Sequence, residues 1–247
     1  SAFASVTMSG ITPKRSTAPP AAMQMPVLTS AQWTTLADRV RLAARTQLKH
    51  MPVSTLIDAI DRAVQRWLDP QDPRRQLAQR VLPQITGWDP EMIRQGLNAT
   101  FKTYRAKQLH RFVAEDVDNP KLLDEFQPRP KGGWARALGP DLLVHVWAGN
   151  VPGLPLWSLV CGLLVKAGSV GKVARAEPLM AGWFVQTLVE VEPRLADCMA
   201  VVWWPGGEVD TERQVFGLAD QVLAYGGDAT LEDLRTRVPV ETPLQLH

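Results

Sequence analysis

Apolar residues recur at three-and-four spacing through the first half of the chain and give way to short continuous apolar runs in the second. From Thr29 onward, Ser30 is placed to cap a helix carrying Trp33, Leu36, Val40 and Leu42. A second start follows at Ser54, with Leu56, Ile57, Ile60 and Val64 on one face. Breaks at Asp69-Pro70 and Asp72-Pro73 precede a helix over roughly 74–86, and Asp89-Pro90 opens another carrying Met92, Ile93, Leu97 and Phe101. Proline is tolerated in a first helical turn, where its missing N–H costs nothing. Residues 29–130 therefore read as a helical region. Residues 1–28, rich in Ala, Ser, Thr, Pro and Met, have no apolar period able to bury a face and read as a disordered leader. Pro120, Pro128, Pro130 and the Gly132-Gly133 pair read as a connector.

After Pro140 the texture becomes strand-like. Apolar and β-branched runs at 142–148, 169–174, 198–204 and 221–226 alternate with helical patterns near 155–167, 178–191, 209–217 and 229–237. Parallel neighbours need crossover connections and are buried on both faces, so this alternation predicts a doubly wound, Rossmann-like parallel sheet over residues 131–247. The closing LQLH reads as the beginning of a further strand, which makes the domain incomplete at its C-terminal side. The expected fold class is thus α/β, a helical amino-terminal region followed by a dinucleotide-binding sheet domain.

Composition narrows the partners. With 247 residues, 45% hydrophobic and 21% charged, the chain is that of a packed protein. Its 27 basic and 25 acidic residues leave no broad footprint for nucleic acid or an anionic membrane surface. No apolar run is long enough to span a bilayer. Two cysteines without zinc or disulfide spacing suit a reducing compartment, so the cytoplasm is expected.

Ligands of an open parallel sheet bind at the carboxyl ends of its strands, so the chemistry is sought in the strand-to-helix turns. The first, AGNVPGLP, holds Asn150 between Gly149 and Gly153. An amide there can donate to a developing oxyanion, and a plain turn with Asn in a left-handed conformation explains it as well. In the second turn, VARAEPL, Arg175 suits a ribose or 2′-phosphate, while a solvated strand-end charge is the simpler account. Lys172 lies just before it, its stem either crossing the sheet edge toward the same cleft or merely snorkelling to water. The third turn, WWPGGEVD, joins Gly206 and Gly207 to Glu208 and Asp210, carboxylates that also favour a helix dipole without any ligand. The fourth, AYGGDATLEDL, places Gly226 and Gly227 before Asp228 and Thr230, either of which is able to cap the next helix, while free amides there suit a pyrophosphate. Neither GxGxxG nor GxxxxGK[ST] occurs. Cys161 and Cys198 fall in apolar segments and read as inert core thiols, His145 reads as a satisfied core histidine, and His50, His110, His145 and His247 show no metal-like clustering.

The segments HVWAGNVPGLPLWSLVCGLLVKAGSVGKVARAEPL, VVWWPGG and VLAYGGDATLEDL, with TGWDPEMIRQGLNATFKTYRAKQLHRF before them, resemble the LuxC-type fatty acyl-CoA reductase family of the aldehyde dehydrogenase superfamily, over roughly residues 30–238. The resemblance implies reduction of an acyl-CoA, or another activated acyl group, to an aldehyde, with NADPH as cofactor and a cysteine carrying a transient thioester. It makes Asn150 the oxyanion-hole asparagine and brings the segment from Ser169 to Glu177, with Lys172 and Arg175, to the adenosine ribose. Gly206, Gly207, Gly226, Gly227 and Asp228 would then line the dinucleotide. The family's nucleophilic cysteine lies in a second, C-terminal domain, so the chain reads as an amino-terminal fragment that would not turn over substrate alone. Self-association and an acyl-donating partner protein both stay open. So do two other readings: a reductase of the same superfamily acting on a different carbonyl donor, and a non-catalytic nucleotide-binding or interaction module.

Overall fold

A computed structural model describes residues 25–149 and 153–247. The first helix, α1 (Ser30–Thr46), begins with a reciprocal cap. Thr29 Oγ1 accepts the Gln32 N–H at 3.3 Å and Gln32 Oε1 accepts the Thr29 N–H at 2.8 Å, so Thr29 and not Ser30 is the capping residue. Leu42, expected on the buried face, is 62% exposed; Ala37 and Ala44 take the buried positions with Trp33, Leu36 and Val40. Leu28, inside the segment read as leader, is half-buried against this helix's core cluster.

Helix α2 (Val53–Leu68) starts one residue before Ser54, behind Pro52, and buries Leu56, Ile57, Ile60 and Val64. The two Asp-Pro starts behave as expected. Asp72 accepts the amides of Arg74 and Arg75 at the head of α3 (Pro73–Thr86), and Asp89 those of Glu91 and Met92 at the head of α4 (Pro90–Lys102). A further helix, α5 (Ala106–Asp116), follows. Arg75, buried in α3, donates to Trp67 O at 2.5 Å, Arg94 O at 3.2 Å and Asn98 Oδ1 at 2.9 Å, which ties the end of α2 to α3 and α4. The connector holds structure of its own: a short antiparallel hairpin of β1 (Gln127–Pro128) and β2 (Trp134–Ala135), turned by Gly132 and Gly133.

The second half forms one five-stranded sheet from β3 (Leu142–Val146), β4 (Gly168–Lys172), β5 (Met199–Val202), β6 (Gln221–Ala224) and β7 (Leu244–Leu246), in the order β5-β4-β3-β6-β7 with all neighbours parallel. LQLH does supply a fifth strand, paired to β6. The crossovers are α6 (Leu154–Leu164), α7 (Met180–Val191), α8 (Val209–Leu218) and α9 (Asp228–Arg235). One face of the sheet carries α8 and α9 together with α1, whose Trp33 ring meets Trp204 edge-on at 5.5 Å. The other carries α6 and α7, backed in turn by α2, α4 and α5 in one continuous apolar cluster. The helical half thus covers the sheet on both sides. Strand succession runs outward from β3 through β4 to β5 on one side and through β6 to β7 on the other, so the winding switches between β3 and β6, the place where an open parallel sheet leaves a crevice.

Close approach inside the sheet is decided at Gly171. A Cβ built there would stand 1.9 Å from the indole of Trp147, so only glycine lets that ring lie across β4. Beside it His145 is fully buried, with Nδ1 2.6 Å from Ser158 Oγ and Nε2 3.0 Å from Ser169 Oγ. Burial holds its pKa down to about 3, so the ring is a neutral, satisfied core group.

Candidate active and cofactor site

Four turns meet at the carboxyl edge of the sheet. Asn150 lies outside the described residues, but both flanks of its turn are placed. A Cβ at Gly149 would come 3.0 Å from the Ala174 methyl, so Gly149 rests against the β4–α7 turn. On the other flank, Tyr104 Oη donates to Gly153 O at 3.3 Å, and Gly153 has the left-handed φ of 80° at the head of α6.

Lys172 ends β4 on the face of α8 and α9. Its ammonium sits 5.3 Å from the centre of the Trp204 ring, where burial lowers its pKa and the Glu212 carboxylate opposes that shift. Arg175 stands exposed in the following turn. These two cations therefore occupy different settings, one stacked and half-buried, the other in solvent. Gly206 and Gly207 are exposed, Gly207 with φ of 83°. Gly227 occupies the cap position of α9, Asp228 is that helix's first residue, and neither Asp228 nor Thr230 caps it.

Thr29, Asp72 and Asp89 cap α1, α3 and α4, while the N-cap residues of α2 and α5 make no such bond. At the carboxyl edge, α6, α8 and α9 begin with no side-chain cap, and at α7 Glu177 takes the Leu179 and Met180 amides. Uncapped amides on an aligned dipole are receptors for an anion. The acids of the third turn do not occupy them. Glu212, which pattern reading passed over, is buried, accepts Trp204 Nε1–H at 3.2 Å and pairs with Arg237. A carboxylate one turn into an otherwise half-apolar helix was its only signal.

Sequence reading also missed a cleft of about 230 Å³ enclosed by α3, α4 and the amino ends of α6 and α7, bounded by Gly149 and Gly153. Its lining is aliphatic and aromatic apart from two threonines and Glu177. The Glu177 carboxylate accepts Leu179 N–H at 2.8 Å and Met180 N–H at 3.0 Å; burial raises its pKa against those two bonds. Neither thiol is activated. Burial pushes Cys161 and Cys198 up to about 12, and the charges of Asp116 and Asp197 add to the respective shifts. Among the described residues no group of three or more His, Cys, Asp or Glu could hold a metal ion, and no helix is long and apolar enough to cross a membrane.

The family model for acyl-CoA reductase (LuxC) matches residues 48–246, from the end of α1's connection through the last strand. The chain belongs to the LuxC acyl-CoA reductase family. Among curated LuxC-type relatives, the long-chain acyl-protein thioester reductase of Aliivibrio fischeri is 29% identical over 172 residues, covering 68% of this chain and 36% of the relative. That of Photorhabdus luminescens is 23% identical over 210 residues, covering 83% and 42%. This LuxC chain therefore spans about two-fifths of the length of these relatives. The fold is that of aldehyde dehydrogenases. Glyceraldehyde-3-phosphate dehydrogenase GapN from Methanocaldococcus jannaschii, complexed with NADP, superimposes with a TM-score of 0.70 at 12% identity over 91% of this chain and 47% of its own. An aldehyde dehydrogenase from Mycobacterium tuberculosis, complexed with NAD+, gives 0.67 at 19% identity over 90% and 44%.

Proposed function

We propose that this chain is the cofactor-binding part of a reductase that converts a long-chain acyl thioester to an aldehyde, with NADPH as the reductant. The observation that carries the reading is the family match, because its span from 48 to 246 takes in the cleft and every turn at the carboxyl edge. The relatives' names supply the acyl-protein thioester, and the family description the acyl-CoA; the thioester carbonyl is common to both.

The residues present suit a nicotinamide dinucleotide. The uncapped amino ends of α8 and α9, behind Gly206, Gly207, Gly226 and Gly227, would hold its phosphates, and Asp228 would line the same turn. Lys172 and Arg175 would meet the adenosine ribose, Arg175 being free to turn its planar fork to a 2′-phosphate. When bound, such a cofactor supplies the hydride that the acyl carbon needs to become an aldehyde carbon. The protein's part is to place the thioester carbonyl at the β3–α6 turn, exclude water with the apolar cleft, and let the Asn150 amide donate to the oxygen as negative charge builds on it. A thiol that carries the acyl group must leave as the aldehyde forms, and half-buried Cys161 and buried Cys198, both with raised pKa, are unsuited to that task. The nucleophile is therefore assigned outside these 247 residues.

Titrating the chain with NADPH and with NADH, read by nicotinamide fluorescence, tests the cofactor assignment. NADPH should bind more tightly, and Arg175→Ala should erase the preference. In a protein of the relatives' full length, Asn150→Ala should lower turnover of an acyl thioester by about two to three orders of magnitude. No NADPH binding, or undiminished turnover in Asn150→Ala, would contradict this assignment.

A further inference from the structure

Gly96 stands in the middle of α4, where glycine is destabilising relative to alanine. Tight packing does not demand it, since a Cβ built there meets nothing within 4 Å. Backbone geometry does not demand it either, because its φ is not among the positive ones. Gly96 is exposed and borders the cleft of about 230 Å³, so a side chain built there has open space to extend into.

Met92, Gly96 and Thr100 follow at four-residue spacing and share one stripe of α4. At one end of the stripe Thr100 abuts the turn, with its Cγ2 3.1 Å from a Cβ built at Gly153. At the other, Met92 is 61% exposed and Trp88 38% exposed, an apolar rim open to solvent. From Thr100 to Met92 the helix rises about 12 Å, and Gly96 lies halfway.

We propose that this cleft receives the acyl chain of the thioester, with the carbonyl at the Gly149–Gly153 end, and that Gly96 sets how much chain it accepts. The inference rests on the reading of the protein as an acyl thioester reductase. Among the described residues the lining holds no cation to pair with a fatty-acid anion, and the Glu177 carboxyl is engaged with the Leu179 and Met180 amides, which leaves a neutral acyl thioester as the fitting occupant. The stretch of about 12 Å from Thr100 to Met92 is the length of α4 along which the chain would lie. Longer chains continue past Met92 and Trp88.

The test titrates octanoyl and butanoyl N-acetylcysteamine thioesters into the wild-type chain and into Gly96→Leu by calorimetry, with NADPH titrated alongside. Leucine is the better helix former and its Cβ has room, so the variant should be at least as stable as the wild type. Wild type should bind the octanoyl compound more tightly than the butanoyl one. Gly96→Leu should lose at least tenfold in octanoyl affinity, hold butanoyl affinity within twofold, and bind NADPH unchanged. Octanoyl affinity unaltered by Gly96→Leu, or absent from a wild-type chain that binds NADPH, overturns the assignment of the cleft while the reductase reading stands on its own turnover assay. Failure of NADPH to bind, with octanoyl binding still lost in Gly96→Leu, sinks the cofactor reading and leaves the cleft assignment in place.

Discussion

Protonation of His145 should destabilise the fold in mild acid by an amount that follows from its burial. The ring is fully buried between Ser158 and Ser169, and its pKa falls to about 3 against an unfolded value of 6.5. Between those two values the unfolded chain binds a proton that the folded chain refuses. Stability is therefore fully present above pH 6.5 and is lost as pH falls below it. Each pH unit in this window is worth about 1.4 kcal/mol, so lowering pH from 7 to 5 should cost about 2 kcal/mol through this one residue. For a chain of this size that is roughly 4–8 °C in melting temperature. The lowered carboxylates of Asp61, Asp72 and Asp141, held down by their arginine, lysine and amide partners, add their losses only below the ordinary carboxylate range. The assay is urea denaturation at pH 7, 6 and 5 on wild type and His145→Gln, which keeps hydrogen-bonding capacity toward both serines without a titrating ring. Whatever its absolute stability, the variant should show a slope flatter by about 2 kcal/mol over the two units. Parallel profiles for the two proteins would refute the argument.

Three further outcomes follow from the packing. Gly171→Ala should cost roughly 1–3 kcal/mol in denaturant stability by forcing the Trp147 ring off β4, and Trp147→Leu in the same chain should recover most of it; additive losses would contradict the contact. Glu212→Ala should cost about 3 kcal/mol, because Arg237 and Trp204 Nε1 lose their buried acceptor, and a loss under about 1 kcal/mol by urea titration would count against that pairing. With thiols raised to about 12, Cys161 and Cys198 should react with iodoacetamide at pH 8 far more slowly in the folded chain than in urea, as peptide mass spectrometry would show; equal rates would mean that burial does not protect them.

Much of the architecture is written locally. Asp72-Pro73 and Asp89-Pro90 announce their helices because an acceptor, a preset φ and a free first turn all lie within three residues. The alternation after Pro140, including the strand in LQLH, is visible because parallel strands buried on both faces must be apolar throughout. His145 and the two cysteines are likewise legible, since a polar group inside an apolar run has few ways to be satisfied. Other features depend on partners far along the chain. Thr29 takes the cap from Ser30 through a reciprocal bond that spacing alone does not single out. That α1 covers the α8 face while α2 backs α6 and α7 is set by which apolar faces meet after folding. Lys172 reads from sequence as an ambiguous strand-end charge. Strand pleat decides that it leans on Trp204, with Gly171 turned to the opposite face beneath Trp147. The cleft is the extreme case: Gly96 looks like a weak helix position in isolation, and only the juxtaposition of α3 and α4 with Gly149 and Gly153, set by long-range burial, places it on a cleft.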